Sequence, residues 1–168
     1  VPALALRYVL ARPKTVRIVD LMSSKAYVPA LEATDRWTAI RELARAAGPA
    51  LNVDSEMIYE AVAEREIMMP TGIGNGVAIP HGRLDGISRP FIAVGFSPHG
   101  LDFNAPDGHE VHVVFLILTP QEAGSVQLEI LSGISRMCRN PAFVEHIMRA
   151  GSFTEFLAHV RVAEAEQG

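Results

Sequence analysis

Residues 70–83, PTGIGNGVAIPHGR, place three closely spaced glycines and a short apolar run directly before His81. Glycine permits backbone conformations with positive φ, and the apolar run that ends at Pro80 predicts a very short strand with the histidine at its end. A neutral imidazole there can act as a nucleophile and take a phosphoryl group, provided that it is reachable from solvent. A buried structural histidine is the alternative, and these residues alone leave both interpretations open.

A phosphorylated imidazole needs cations or free N–H groups nearby, because the added group brings negative charge. Arg65 is the first candidate, since its predicted helix ends shortly before the glycines. Gly82 and Arg83 follow the histidine directly and are further candidate donors. The start of the helix that contains Gln127 is another, because helix N-termini attract anions. Gln127 lies on the apolar stripe of that helix, where a hydrogen-bonded core residue is the alternative.

Two other kinds of site are poorly supported by the sequence. The glycines match neither the G-x-x-x-x-G-K-[ST] nor the G-x-G-x-x-G pattern of nucleotide-binding loops. His109 and His112 have the spacing of a helical metal pair, but they lead into a predicted strand, where positions three apart face opposite sides. Because no third ligand lies at a convincing distance along the chain, we expect no metal site and no bound cofactor.

The elements that must position these residues are predicted from periodicity. Strands are expected at 16–22, near 27–28, and at 77–79, 91–97 and 111–118. Helices are expected at 33–48, 52–68, 125–140 and 141–150, with a last one beginning at Ser152. The first two helices have candidate caps and an apolar face, which for the second includes Met57, Ile58, Ala61 and Val62. Strands grouped between helices predict a sheet that lies between helical layers.

Composition narrows the classes of protein. The chain has 168 residues and 18.2 kDa, which suits one domain with its own core. A net charge of −4 and a pI near 5.9 give no electrostatic reason to bind nucleic acid. The single cysteine, Cys138, has no internal disulfide partner, which favours a reducing compartment such as the cytosol.

The first residues, VPALALRYVLARPKTVR, form a short apolar stretch that turns basic. One interpretation is an ordinary first helix, and the other is the end of a transmembrane helix of a longer transporter, followed by positive charges on the cytosolic side. The sequence does not decide between them. We therefore treat residues 1–16 as a lead-in or linker and residues 17–164 as the domain.

Three stretches closely resemble the fructose/mannitol-type enzyme IIA (EIIA type-2) of the bacterial sugar phosphotransferase system (PTS), a family that includes nitrogen-regulatory enzyme IIA. They are 65–83, 100–120 and 127–140, and the resemblance extends from about Val16 to the last helix. The most specific part is the core Gly-x-Gly-x-Ala-Ile-Pro-His, which ends at His81. The resemblance implies a three-layer α/β/α sandwich with a central mixed sheet, and a phosphocarrier in the cytoplasm.

The resemblance also assigns residues. His81 matches the phosphorylated histidine, and Arg65, followed by Glu66, matches the arginine that steadies the active-site phosphate. Gln127 stands where many members of the family have a second histidine. An amide can donate a hydrogen bond but cannot become cationic, so this departure from the family pattern weakens the expectation of fast phosphoryl relay to a sugar.

Two functions follow as hypotheses. The chain is a regulatory domain that the histidine phosphocarrier protein phosphorylates on His81 and that acts on a transporter, either an ion antiporter or a permease. Alternatively, it is a sugar-specific enzyme IIA that relays phosphate to a sugar permease. Either would act in the cytoplasm, free or as a cytosolic domain of an inner-membrane transporter. A homodimer is possible, and the sequence does not determine the oligomeric state.

Overall fold

A central sheet lies between two helical layers in the computed structural model, which describes residues 16–167. The predicted lead-in therefore lies outside the described residues, apart from Val16. Within this range a short 3₁₀ helix (Ile18–Leu21) precedes α1 (Arg36–Leu51), α2 (Ser55–Met68), α3 (Val126–Cys138), α4 (Pro141–Met148) and α5 (Phe153–Ala165). The strands are β1 (Met22–Val28), β2 (Gly72–Gly74), β3 (Val77–Ala78), β4 (His81–Leu84), β5 (Phe91–Leu101) and β6 (Val111–Pro120).

The sheet is mixed, as expected. Its order is β1-β5-β6-β3-β2, and β4 also pairs with β6. β1 runs parallel to β5, and β3 and β4 run parallel to β6, whereas the β5–β6 and β2–β3 pairs are antiparallel. β6 is buried on both faces from Val113 to Leu118, which agrees with its prediction as a central strand.

β3 and β4 are one strand that is interrupted just before His81. Val77 lies opposite Val113 and His81 lies opposite Ile117, so both parts keep the same register against β6. Across the interruption, the Pro80 carbonyl oxygen accepts a hydrogen bond from the Ile117 N–H at 3.0 Å. The prediction of a short strand that runs into Pro80 is confirmed, and the pairing with β6 determines where His81 starts β4.

Each face of the sheet carries its own apolar core. On one face, α3, α4, α5 and the 3₁₀ helix pack against Val113, Phe115 and Ile117 of β6. On the other face, α1 and α2 pack against the alternate residues Val114, Leu116 and Leu118. Alternation along a strand sends neighbouring side chains to opposite faces. The three-layer α/β/α sandwich is thereby confirmed.

The strand predicted at 16–22 is wrong over most of its length. Ile18–Leu21 form a 3₁₀ helix, and β1 begins only at Met22 and runs without a turn to Val28. The Glu164 carboxylate accepts hydrogen bonds from the N–H groups of Ile18 at 2.6 Å and Val19 at 3.1 Å. Because this partner comes from the last helix, the local apolar pattern did not reveal it.

Two details of the first helices also differ from expectation. α1 passes Gly48, where its end was predicted, and stops at Leu51 before Asn52, whose φ is 55°. A Cβ at Gly48 would lie 2.9 Å from the Val53 carbonyl oxygen, so the glycine allows the connection to α2 to pack closely. In α2, Met57 is 50% exposed rather than inward-facing. No helix in the described part of the chain has both the length and the apolar character that a bilayer crossing requires.

Candidate functional site around His81

The glycine loop, residues 71–76, is a tight hairpin held by anchors at its tip. Residues 74–76 have φ values of 94°, 55° and 76°, which glycine and asparagine adopt at the least steric cost. The Asn75 N–H donates to Asp107 Oδ2 at 3.0 Å, and its side-chain amide donates to the Cys138 carbonyl oxygen at 3.0 Å. The loop thus holds the beginning of the strand that leads to the histidine.

His81 lies on the face of the sheet that α3 covers, opposite Ile117 in the ladder. Its Nδ1 is 2.9 Å from the Ile79 carbonyl oxygen. A carbonyl oxygen only accepts hydrogen bonds, so Nδ1 carries the proton in this contact and the neutral ring keeps its lone pair on Nε2. The residue is only 8% exposed, which is less open to solvent than we expected from the sequence.

The surroundings of His81 favour its neutral, nucleophilic form. Burial lowers the pKa of the imidazole below its ordinary value of 6.5, the hydrogen bond to Ile79 partly opposes this effect, and the Arg65 charge adds a smaller lowering contribution. A neutral ring at neutral pH is the state that can attack phosphorus, because a protonated imidazole has no free lone pair.

We expect part of the acid sensitivity of the fold to come from His81. As the pH falls below 6.5, the unfolded chain binds a proton at this residue before the folded chain does, since the folded-state pKa is lowered. The free energy of unfolding therefore falls with pH until the folded-state pKa is passed. Urea unfolding at pH 7.5 and at pH 5 should show a smaller loss for His81→Gln than for the unaltered chain. Equal losses would contradict this prediction.

Arg65 lies in the last turn of α2, which belongs to the helical layer on the opposite face of the sheet from the His81 ring. Its Nη1 donates to the Met69 carbonyl oxygen at 2.9 Å, which ties the side chain to the segment that follows the helix. Its charge lowers the pKa of His81, so the structure brings this guanidinium and the imidazole within electrostatic reach.

Gly82 allows this proximity because it has no side chain. A Cβ at this position would lie 3.2 Å from a Val62 methyl carbon and 3.3 Å from the Ala61 carbonyl carbon, both on α2. The absence of a side chain therefore lets α2 approach β4 closely and bring Arg65 near the histidine. Gly82 lies opposite Leu118 in the β4–β6 ladder, and its observed contribution is spacing.

Arg83 holds the loop in front of α3. Its Nη1 donates to the Gln121 carbonyl oxygen and its Nη2 to the Gly124 carbonyl oxygen, each at 3.1 Å. These contacts direct the guanidinium towards backbone carbonyls, so a phosphate-binding role for it gains no support from this geometry. The arginine instead links the histidine strand to the start of the helix that carries Gln127.

Gln127 lies in the first turn of α3, on the side that packs against the sheet. Its Nε2 donates to Thr119 Oγ1 at 3.3 Å, and Thr119 is fully buried opposite Arg83 in the ladder. Thr119 and Ile117 are two apart on β6 and share a face. The structure thus brings Gln127 to the face that carries His81, with its amide hydrogen-bonded to a neighbouring threonine.

Glu66 is a residue for which sequence analysis offered no role. It is 1% exposed and accepts hydrogen bonds from the Thr71 N–H at 3.1 Å and the Thr71 hydroxyl at 2.6 Å. Burial raises the pKa of this carboxyl, against the lowering effect of both Thr71 bonds and of nearby Arg36. The available signal was a charged residue in α2 just before the glycine loop, with a threonine at the start of that loop.

An exposed apolar stretch directly follows Arg65 and Glu66. Ile67 is 74% exposed, Met68 is 79% exposed and Met69 is 64% exposed. Three consecutive exposed apolar side chains are typical of a surface that another protein covers. This stretch lies next to the arginine of the candidate site.

The histidine pair outside this site, His109 and His112, lines one cavity at the start of β6. His112 lies in β6 with its Nδ1 2.8 Å from the Ser97 carbonyl oxygen, while His109 lies in the preceding loop. Among residues 16–167 no three His, Cys, Asp or Glu side chains are grouped so that they could hold a metal ion.

Comparison with known proteins identifies the family. The model of the phosphoenolpyruvate-dependent sugar phosphotransferase system EIIA 2 family matches residues 21–162. A nitrogen regulatory protein of Bradyrhizobium diazoefficiens is 35% identical over 123 residues, which cover 73% of this chain and 80% of that protein. The fructose-specific EIIABC component of Bacillus subtilis is 30% identical over 138 residues, and the match spans 82% of this chain but only 22% of that longer protein.

A solved structure agrees with both matches. The nitrogen regulatory protein IIA-Ntr of Neisseria meningitidis superimposes with a TM-score of 0.80 at 27% identity, covering 85% of this chain and 98% of that one. The resemblance on which the sequence analysis relied is confirmed. The chain belongs to the EIIA type-2 family of the phosphoenolpyruvate-dependent sugar phosphotransferase system.

Proposed function

We propose that this chain is a phosphocarrier domain that accepts a phosphoryl group on His81 from the histidine phosphocarrier protein, and that its phosphorylation state regulates a transporter. The observation that carries the proposal is the contact between His81 Nδ1 and the Ile79 carbonyl oxygen at 2.9 Å. That contact leaves Nε2 as the nucleophilic atom of the ring. The regulated transporter would be an ion antiporter or a permease of the inner membrane, with this chain on its cytoplasmic side.

The proposed transfer is a simple displacement at phosphorus. The bond between phosphorus and the ring nitrogen of the donor breaks as the bond to His81 Nε2 forms, and the Nδ1 proton stays on the ring. The Ile79 carbonyl oxygen stabilises the positive charge that develops on that ring, because it accepts the Nδ1 proton's hydrogen bond. Arg65 opposes the negative charge of the transferred group. The exposed stretch from Ile67 to Met69 offers apolar surface to a visiting protein.

The regulatory branch of the proposal is supported by Gln127 and by the relatives. An amide that is hydrogen-bonded to Thr119 cannot supply the positive charge of a second histidine, which suits a slow switch better than a fast relay. Nitrogen regulatory proteins also stand among the relatives, in sequence and in structure. A homodimer stays a prediction.

Sugar relay is the second candidate, because a fructose-specific EIIABC component is among the relatives. It predicts that the phosphorylated chain passes its phosphoryl group rapidly to a sugar-specific EIIB domain. The regulatory function predicts slow onward transfer and a stable phosphorylated form. Single-turnover transfer from the labelled chain to such a domain separates the two.

The shared first step is tested by labelling the unaltered chain. Incubation with the phosphocarrier protein, its kinase and ³²P-phosphoenolpyruvate should give an acid-labile, base-stable label, as phosphohistidine does. The amount should approach one phosphoryl group per chain. If the phosphocarrier protein becomes labelled while this chain stays unlabelled, the proposed function is wrong.

Replacing Gln127 with histidine is expected to speed phosphorylation about tenfold, which corresponds to about 1.4 kcal/mol in the barrier. An imidazole at this place can become cationic and make a charge-assisted hydrogen bond to the arriving phosphoryl group, which the amide cannot. Rapid-quench measurement of the labelling rate checks this. Gln167→His, at the far end of the described chain, is the control for adding a histidine. An unchanged rate in Gln127→His would mean that residue 127 does not face the phosphoryl group.

A further inference from the structure

A continuous series of contacts runs from the buried carboxylate of Glu66 to the ring of His81. Glu66 accepts hydrogen bonds from the N–H and the hydroxyl of Thr71 at 3.1 Å and 2.6 Å. The Thr71 carbonyl oxygen accepts from the Ile79 N–H at 3.0 Å. The Ile79 carbonyl oxygen lies 2.9 Å from His81 Nδ1. Every link is a direct contact, so the carboxylate and the imidazole are connected through two backbone segments.

The members of this series are sheltered from water. Glu66 is 1% exposed, Thr71 is 5% exposed and His81 is 8% exposed. Buried hydrogen bonds of this kind hold geometry more firmly than exposed ones, because water does not compete for the same atoms. A shift of the Glu66 end would therefore move the Ile79 carbonyl oxygen, which orients the ring.

Burying the Glu66 carboxylate at the end of α2 does not by itself stabilise the fold. Its desolvation is unfavourable, and an apolar side chain of similar volume often stabilises a fold at least as well. Arg36 forms an ion pair with this carboxylate, with its Nη1 3.8 Å from Glu66 Oε1, a distance too long for a hydrogen bond. The two strong contacts of Glu66 are both to Thr71, so its effect is directed at the glycine loop.

We propose that Glu66 is a positioning residue for phosphoryl transfer, which acts through Thr71 and the Ile79 backbone to keep the proton of His81 on Nδ1 and Nε2 free for attack. The consequence for transfer rests on the proposed function. The consequence for the ring does not, because the proton position is a property of the chain by itself. One residue thereby links the end of α2, which carries Arg65, to the nucleophile.

The test compares three substitutions by ¹⁵N NMR of the histidine rings at a pH where His81 is neutral, with its signals assigned from their loss in His81→Gln. The unaltered chain should show one tautomer with the proton on Nδ1. Glu66→Gln and Thr71→Val should show a mixture of tautomers and a labelling rate lower by about tenfold or more, since small displacements of a reacting group slow transfer strongly. Thr71→Ser keeps the hydroxyl and should restore both properties.

A matched control is present in the same chain. Glu42 also accepts hydrogen bonds from loop N–H groups, those of Glu32 and Ala33 at 3.0–3.2 Å, in the connection that follows β1 at the other edge of the sheet. Glu42→Gln should leave the His81 ring signals and the labelling rate unchanged. Melting curves and circular dichroism establish that each variant is folded, and Thr71→Val carries the test if Glu66→Gln does not fold.

Failure of the role proposed for Glu66 and failure of the proposed function give different results. Unchanged tautomer signals in folded Thr71→Val overturn the positioning role, and so does an equal change in Glu42→Gln. Absence of labelling in the unaltered chain overturns the proposed function, while the ring spectra still decide on Glu66.

Discussion

His81→Gln is expected to abolish phosphoryl labelling of the chain, whereas His112→Gln should be labelled as fully as the unaltered protein. His112 is the matched control, because its Nδ1 also lies against a carbonyl oxygen, that of Ser97, at 2.8 Å. It lies in the same sheet and donates its backbone N–H to the Gly76 carbonyl oxygen of the glycine loop at 2.8 Å. Unlike His81, it belongs to β6 and not to β4, the strand that packs closely against α2. Glutamine keeps polarity and approximate size but has no nucleophilic ring nitrogen. The measurement is the stoichiometry of acid-labile ³²P after a long incubation with a charged phosphocarrier protein.

The folded state of the variant has to be checked alongside this result. His81 is largely buried, so circular dichroism and a melting curve must show that the glutamine variant is folded. Label that persists in folded His81→Gln would mean that another residue is the nucleophile. Label that disappears from His112→Gln as well would point to a requirement unrelated to the proposed site.

Arg65→Gln is expected to slow phosphorylation of His81 by about 100-fold, in the range for losing one donor that stabilises the charge of a transition state. Arg65 lies at the end of α2, and its charge lowers the pKa of His81. Removing that charge should therefore also raise the pKa of the imidazole, which NMR titration measures independently of any transfer. Arg65→Lys, which keeps the charge but loses the planar fork, should recover part of the rate.

Arg149→Gln serves as the comparison for loss of an arginine. Its guanidinium pairs with Glu145 one turn earlier on an exposed surface, and its removal should change neither the rate nor the His81 titration. A normal labelling rate in Arg65→Gln, with an unshifted His81 titration, would show that the arginine does not act on the imidazole. A slow rate with an unshifted titration would confine its role to the transferred group or the partner.

The sequence predicted the sheet and the strand that leads to the histidine because those patterns are local. β6 is apolar at every position from Val113 to Leu118 and is buried on both faces. The run before Pro80 is too short for anything but a brief strand, and pairing with β6 continues through it. The sequence placed His81 at the end of this short strand; that His81 begins a further strand, β4, was not predicted.

What the sequence did not reveal depends on partners far away in the chain. The 3₁₀ helix at Ile18–Leu21 is held by Glu164, which lies 146 residues beyond its first N–H partner. The burial of His81 and the direction of Arg83 depend on how α3 and its preceding loop cover the sheet. In the sequence, Glu66 cannot be distinguished from other charged residues of a helix. Only the fold shows that it is bonded to Thr71.

Some glycines have a role that the local sequence indicated, and others have a role that depends on packing. The hairpin tip at residues 74–76 needs positive φ, which the clustering of glycine indicated. Gly82 instead serves a close approach between β4 and α2, and nothing in its immediate neighbours distinguishes that need from flexibility. Proximity of Arg65 to the imidazole therefore emerged only with the packing of the two layers.

The proposed function makes Nε2 of His81 the atom that carries the phosphoryl group. It is tested most directly by ¹⁵N and ³¹P NMR of the fully phosphorylated chain with labelled histidine. We expect a phosphorus coupling to Nε2 of His81, with Nδ1 still bearing its proton against the Ile79 carbonyl oxygen. A coupling to Nδ1, or to a ring nitrogen of any other histidine, would contradict it.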